Sequence, residues 1–401
     1  MRSFSYYSPT KIIFGEGAQH KTAENIRQFG GSRVLIVYGG KSAKKSGLLD
    51  EVKKNLEQAG IACAEIGGVQ PNPRLSLVRK GIALAREFGA DMILAVGGGS
   101  VIDSAKAIAH GTANPETDVW DFWAGKAKLE KSLPVASVLT ISAAGSETSD
   151  SAVITNDEVE PQLKRGLNTP FNRPVFAIMN PELTYTLPDW QIAAGVTDIM
   201  LHTLERYFAA VTGNCLTDEF AEGLLRNMIK FGPIALQNSH DYDAMSEIMW
   251  SGSVSHIGLT GLGSASAKGK EGDWACHQLG HELSGKYDVT HGASLASVWG
   301  AWARYVCGAN PDRFAQLGRK VFHLSGETVE EIAEAAIDKM VGFFASLGMP
   351  TGLKALVGHT LSEKELDELA DACSFGRTRT IGNFRELDRE DIRAIYAAAN
   401  C

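Results

Sequence analysis

Residues 92–96 (MILAV) run directly into Gly97-Gly98-Gly99 and then into a stretch of helical period, 101–110. A buried strand that breaks at glycines and turns into a helix is half of a strand-helix-strand unit, which needs parallel neighbours. The first half of the chain supplies them. Arg33–Tyr38 (RVLIVY) reads as a buried strand ending in Gly39-Gly40, Ala62–Ile66 as a second strand, and 135–140 (VASVLT) as a further one. Residues 46–59 and 75–88 read as helices stopped by Gly60 and Gly89. This alternation predicts an α/β unit: a parallel sheet with helices on both faces.

The pattern changes near Pro188. The segment PVFAIMNPELTYTLP predicts a strand followed by turns. Beyond it helical period dominates, with helices expected over 192–211, 216–231, 243–257, 273–284, 293–306, 329–347 and 363–373. The expected organisation is an α/β nucleotide-binding domain over residues 1–185 and an all-α, metal-binding domain over 186–401. The active site is expected in the cleft between them, a favoured place for ligands.

Lys and Arg number 39 against 47 Asp and Glu, a net charge of −8. Without a basic cluster, nucleic acid is excluded as a partner. The uncharged run between Lys131 and Glu147 is too short for a membrane span. The N-terminus lacks an apolar signal core, so a cytoplasmic protein is expected. Six cysteines, none in a C-x-x-C pair, read as reduced thiols rather than a disulfide framework.

The glycine loop Gly97-Gly98-Gly99-Ser100 offers close backbone approach and the N-terminus of a helix, both suited to phosphate, and Ser100 is placed to cap that helix. It is not a G-x-G-x-x-G fingerprint. A second hydroxyl-rich cluster, Thr140 to Glu147 (TISAAGSE), follows the next strand and suits the same phosphate or a polar surface turn. A carboxylate after the early strand would bind an adenosine ribose and repel a 2′-phosphate. This chain has Gly39-Gly40-Lys41-Ser42 there, which favours NADP(H) over NAD(H), with Lys41 and Ser42 as 2′-phosphate contacts.

His277, His281 and His291 crowd one segment, HQLGHELSGKYDVTHG. Upstream, Asp198 and His202 are four apart and share one helix face. A carboxylate with two or three imidazoles suits a borderline divalent ion such as Fe(II), Zn, Mn or Co. Spacing leaves open whether His277 or His281 is the ligand. Phe122, Trp123, Trp250 and Trp274 are candidates for an apolar pocket or plain core.

With GGGSVIDSAKAIA, AGSE at 144–147, NPELTYTLP, GVTDIMLHTLERYF and GDWACHQLGHELSGKYDVTHG in order, the chain resembles the iron-containing (group III) alcohol dehydrogenase family along essentially its whole length, and within it the butanol dehydrogenase-like branch. The resemblance implies metal ligation by Asp198, His202, His277 and His291, with Fe(II) or Zn bound. It leaves His281 beside the nicotinamide and substrate, as the catalytic proton relay. It implies cofactor contacts from Gly98, Gly99, Ser100, Asp103, Thr140, Ser142, Ser146, Lys164 and Leu183, with Asn72 a further one, and places Gly39 with the NADP-using branch. Two positions depart from the family pattern: Ala144 stands where Thr is usual and Asn180 where Asp is usual. The implied architecture is that shared by glycerol dehydrogenases and dehydroquinate synthases, and a homodimer is expected. The implied reaction is hydride transfer between NADP(H) and a small primary alcohol or aldehyde. The alternatives are an NAD-linked polyol dehydrogenase, a dehydroquinate synthase-like lyase, or a non-catalytic nucleotide-binding scaffold.

Overall fold

The computed structural model describes residues 3–401 except 41, 144, 161, 212, 267, 268 and 270. The chain divides into two compact units, Tyr7–Leu187 and Pro188–Cys401, the latter joined by the residues up to Tyr6.

The first unit holds eight strands among its described residues: β1 (Lys11–Phe14), β2 (Arg33–Tyr38), β3 (Ala62–Ile66), β4 (Met92–Gly97), β5 (Val135–Leu139), β6 (Ser151–Asn156), β7 (Leu163–Asn168) and β8 (Phe176–Met179). Six form one sheet in the order β1-β8-β5-β4-β2-β3, and every pairing is parallel. Strands β4 and β5 are buried at every residue, as a sheet covered on both faces demands of its central strands. The remaining pair, β6 and β7, is an antiparallel ribbon. The connecting helices are α1 (Thr22–Gln28), α2 (Ser42–Lys45), α3 (Leu48–Gln58), α4 (Leu75–Phe88), α5 (Gly99–Ala113) and α6 (Val119–Trp123). Strands β2 and β3 and helix α4 fall on the residues expected. Helix α5 starts two residues early, so Gly98 is the cap and Ser100 lies inside the helix. This corrects the capping role expected of Ser100. Strands β1 and β7 escape the sequence pattern because one is four residues long and the other, LKRGLN, carries too few apolar residues to alternate.

The second unit is helical: α7 (Asp189–Tyr207), α8 (Cys215–Gln237), α9 (Tyr242–His256), α10 (Ala275–Tyr287), α11 (His291–Cys307), α12 (Pro311–Val321), α13 (Val329–Ser346), α14 (Leu353–Val357), α15 (Glu363–Cys373) and α16 (Arg389–Ala399). Helix α7 is its centre, buried at every residue from Ile192 to Tyr207. Helices α8, α9 and α11 pack around it, and α10 lies along α11. Two glycines permit close approach. A β-carbon on Gly280 of α10 would sit 2.7 Å from Leu295 Cδ2 and 2.9 Å from Ser294 Oγ of α11. One on Gly292 of α11 would sit 2.9 Å from the carbonyl carbon of Ala194 in α7, and closer still to its oxygen. Helices α12 and α16 lie outside the expected set, although each buries an apolar stripe, Phe314, Leu317 and Val321 in α12 and Ile392, Ile395 and Tyr396 in α16. Among the described residues, no helix is long and apolar enough to cross a membrane.

Candidate metal centre and nucleotide loops

A helix buried on all sides has no ordinary use for Asp198 and His202, because a buried carboxylate without compensation is costly. Both are nevertheless on the buried length of α7. His202 Nδ1 donates to the Asp198 carbonyl oxygen at 2.9 Å, which leaves Nε2 with a free lone pair. His277, in the first turn of α10, brings Nε2 to 3.9 Å from Asp198 Oδ1, and its ring lies 4.4 Å from that of His202. Asp198, His202 and His277 each offer a ligand atom within 4.8 Å of the others, and all three are buried. They form a metal site. His291 is the first residue of α11, and its Nε2 is 3.7 Å from the same Asp198 oxygen.

That oxygen, Asp198 Oδ1, is buried without a hydrogen bond among the described residues. Around it stand His202 Nδ1 at 3.2 Å, His277 Nε2 at 3.9 Å and His291 Nε2 at 3.7 Å. This donor set fits a borderline divalent cation. Burial works to raise the Asp198 pKa, but the neighbouring His202, His291 and His277 outweigh it and hold the carboxyl well below the usual range. His281, one turn beyond His277 on α10, stands beside the group: its ring is 5.5 Å from His291 and 6.4 Å from His277.

The sequence reading missed the layer behind the ligands. Glu205 Oε1 accepts from both the backbone N–H and the Nδ1–H of His277, each at 2.9 Å. The signal was present, since positions 198, 202 and 205 recur on one helix face. Burial raises the Glu205 pKa, against the backbone N–H groups of His277 and Trp274. Asp273 donates its backbone N–H to the Glu205 carbonyl at 2.7 Å, and its own carboxylate accepts from the backbone N–H groups of Asn383 and Phe384 at 2.6 and 2.7 Å. Burial and then the neighbouring Glu205 raise Asp273 too. Trp274 stacks under the Arg206 guanidinium, 4.7 Å away, and lies 5.2 Å from His277. The other aromatic candidates go elsewhere: Phe122 and Trp123 are core, and Trp250 is 44% exposed.

In the first unit, the chain runs from β2 outward to β3, crosses back to β4, and continues in the opposite direction to β5. The carboxyl ends of β2 and β4 are therefore the topological switch point, where such sheets bind ligands. Tyr38 pairs with Val96, so Gly39-Gly40 and Gly97-Gly98-Gly99 emerge side by side. Packing already requires two of these glycines: a β-carbon on Gly97 would lie 2.5 Å from Val101 Cγ2, and one on Gly98 2.7 Å from Ile141 Cβ. Helix α5 has no side-chain cap, so its first N–H groups face the loop uncapped by a side chain.

Thr140 donates its backbone N–H to the Gly97 carbonyl at 3.1 Å, joining the hydroxyl cluster to the glycine loop. Ser142 Oγ is buried and makes no hydrogen bond among the described residues. Asp103 and Ser146 are tied to each other: Ser146 Oγ donates to Asp103 Oδ1 at 2.6 Å, and Val153 N–H donates to Oδ2 at 2.9 Å. Beneath them lies Lys106, fully buried and unnoticed in the sequence. Its Nζ donates to Ser146 Oγ at 2.8 Å and to the Ser151 carbonyl at 2.7 Å. Burial lowers its pKa to about 8, against the opposing pull of Asp103. Lys164 Nζ donates to Asn72 Oδ1 at 2.9 Å, and Asn72 takes a left-handed backbone conformation. Leu183 lies in a one-turn 3-10 helix, half-buried against the sheet core. Asn180 caps that turn, its Oδ1 accepting from Glu182 N–H at 3.1 Å, which is the service an Asp would give there. Ser42 opens α2, but its side chain and all of Lys41 lie outside the described residues, as does Ala144.

Fold and site together define a class: an oxidoreductase pairing a nucleotide-binding sheet with a divalent-metal centre on a helical unit. Models of the iron-containing alcohol dehydrogenase family match residues 9–181, and those of its C-terminal region match 192–400. The chain belongs to the iron-containing alcohol dehydrogenase family and is by class an NAD(P)-dependent alcohol dehydrogenase. It is 41% identical to NADH-dependent butanol dehydrogenase A of Clostridium acetobutylicum, over 99% of each chain. It is 35% identical to the NADPH-dependent aldehyde reductase YqhD of Escherichia coli, over 100% of each. The crystal structure of NADH-dependent butanol dehydrogenase A from Thermotoga maritima is similar at a TM-score of 0.94 and 37% identity, covering 100% of this chain and 99% of that one.

Proposed function

We propose that this protein interconverts small primary alcohols and aldehydes by metal-dependent hydride transfer, with NADP(H) as the favoured cofactor. The observation that carries the reading is Asp198 Oδ1, buried without a hydrogen bond amid three imidazoles. Asp198, His202, His277 and His291 would hold one Fe(II) or Zn ion. A bound divalent ion supplies Lewis acidity toward the substrate oxygen, and a nicotinamide supplies the hydride. The protein's own part is position and field. Asp198 contributes one negative charge and neutral imidazoles none, so with a divalent ion held the site would keep a net positive charge suited to an alkoxide. His281, beside the ligand group, passes the proton. Gly98, Gly99, Ser100, Thr140 and Ser142 take the nucleotide phosphates at the switch point; Asn72, Lys164 and Leu183 line the rest of its path. Asp103 and Ser146 shape that loop through their mutual hydrogen bond.

The preference for NADP(H) rests on Gly39, which places no carboxylate after β2 where it would meet a 2′-phosphate. Relatives of both cofactor preferences resemble the chain, so the test is direct. Reduced-nicotinamide absorbance is followed with butyraldehyde, NADPH against NADH, with and without a strong chelator. Chelator-sensitive oxidation, faster with NADPH, is expected. Faster oxidation of NADH overturns the cofactor assignment. No oxidation of either by metal-loaded protein overturns the activity.

A further inference from the structure

We infer that Glu205 is a positioning residue for the metal centre, acting through His277. The inference rests on the metal reading above. Glu205 is fully buried and points a single oxygen, Oε1, at two donors on the same residue: the backbone N–H and the Nδ1–H of His277, both at 2.9 Å. Together these contacts fix three things. The backbone bond sets where α10 begins relative to α7. The ring bond sets the rotation of the imidazole. It also sets the tautomer: with the proton on Nδ1, the lone pair is on Nε2, the atom that faces Asp198 Oδ1 at 3.9 Å. A carboxyl oxygen accepting on the far nitrogen orients an imidazole for ligation, and such partners typically change metal affinity 10- to 100-fold.

The position of Glu205 is itself fixed from the C-terminal part of the chain. Its carbonyl accepts from Asp273 N–H, and the Asp273 carboxylate holds the N–H groups of Asn383 and Phe384. That turn is closed by reciprocal backbone hydrogen bonds between Ile381 and Leu387 at 3.0 and 2.8 Å. The aromatic ring of Phe384 anchors it against Phe208 and Phe314, at 5.6 and 5.7 Å. Asp273, four residues before His277, is thus tied both to α7 and to a turn more than a hundred residues later.

Two variants of the full-length protein test this, Glu205→Gln and Glu205→Met, with Co(II) as the metal. Co(II) affinity is measured by chelator competition, and its visible absorption reports the ligand geometry. Methionine matches the length but accepts no such hydrogen bonds; glutamine keeps a neutral acceptor for both donors. The expected order of affinity is wild type, then Glu205→Gln about 10-fold weaker, then Glu205→Met about 100-fold weaker, with a shifted spectrum in the methionine variant. If Glu205 serves only packing, both variants lower the melting temperature but bind Co(II) within about twofold of wild type with unchanged spectra, and the inference fails. Should the methionine variant not fold, the glutamine variant decides alone: affinity equal to wild type overturns the proposal. Failure of the wild type to bind Co(II) is a different result and overturns the metal reading itself.

Discussion

Replacing Gly292 by alanine should dismantle the metal site without touching a ligand. The new β-carbon would stand 2.9 Å from the Ala194 carbonyl carbon and 3.1 Å from its Cα, with the oxygen nearer still. Every atom it meets is backbone, so no side-chain rotation relieves the overlap. Ordinary contact begins near 3.4 Å. The start of α11 must therefore withdraw from α7 by at least about 0.5 Å, and by about 1 Å once the oxygen is counted. His291 is the adjacent residue and moves with it, whereas a metal ligand tolerates only about 0.2 Å. The overpacking should cost about 1–3 kcal/mol, or a few degrees in melting temperature for a unit of this size. The more telling loss is linkage. Metal at 100 times its Kd stabilises by about 2.7 kcal/mol, and a tenfold weaker site forfeits about half of that. The assay is thermal unfolding with and without excess Zn(II), alongside metal stoichiometry after dialysis. Gly308→Ala is the control, because a β-carbon there meets nothing within 4 Å. A Gly292→Ala protein with full stoichiometry and the wild-type metal-dependent shift would refute the argument that close helix approach builds the site.

Two further outcomes follow from single residues. Burial lowers the pKa of His110 to about 4, against its hydrogen bond to Asn172, so the folded protein keeps this ring neutral while the unfolded chain protonates near 6.5. Stability should be full above pH 6.5 and fall as pH drops toward 4, by up to about 3 kcal/mol; urea unfolding of wild type and His110→Gln across that window checks it, and equal losses in both would assign the effect elsewhere. Gly39→Asp meets only ordinary contacts, 3.6 Å to the Val69 carbonyl oxygen and 3.7 Å to Val101 Cγ2. It should lower the NADPH-over-NADH ratio of kcat/KM about tenfold or more by charge alone, about 1.4 kcal/mol, and an unchanged ratio would place the 2′-phosphate elsewhere.

Local pattern carried much of the fold. Arg33–Tyr38, Leu75–Phe88 and Glu363–Cys373 coincide with observed elements because burial on one face, or on both, writes a period of its own. Strand β7 writes none clear enough, since LKRGLN has few apolar residues to alternate. The parallel sheet was legible from alternation, but the strand order was not. Order is a matter of crossovers between distant segments, and it is the order that brings the two glycine turns together.

The same division runs through the metal site. Asp198 and His202 are a pair in the sequence because 3.6 residues make a turn, so four positions apart means one face. His277 and His291 reach that pair only through tertiary packing, α10 on α11 and α11 on α7, with Gly280 and Gly292 setting how near the backbones come. Glu205 behind His277, Asp273 behind Glu205, and Lys106 beneath Asp103 and Ser146 are decided at that level too. Helical and strand periods constrain only neighbours a few residues apart. A buried charge acquires its meaning from partners brought to it by the fold, and those partners come from anywhere in the chain.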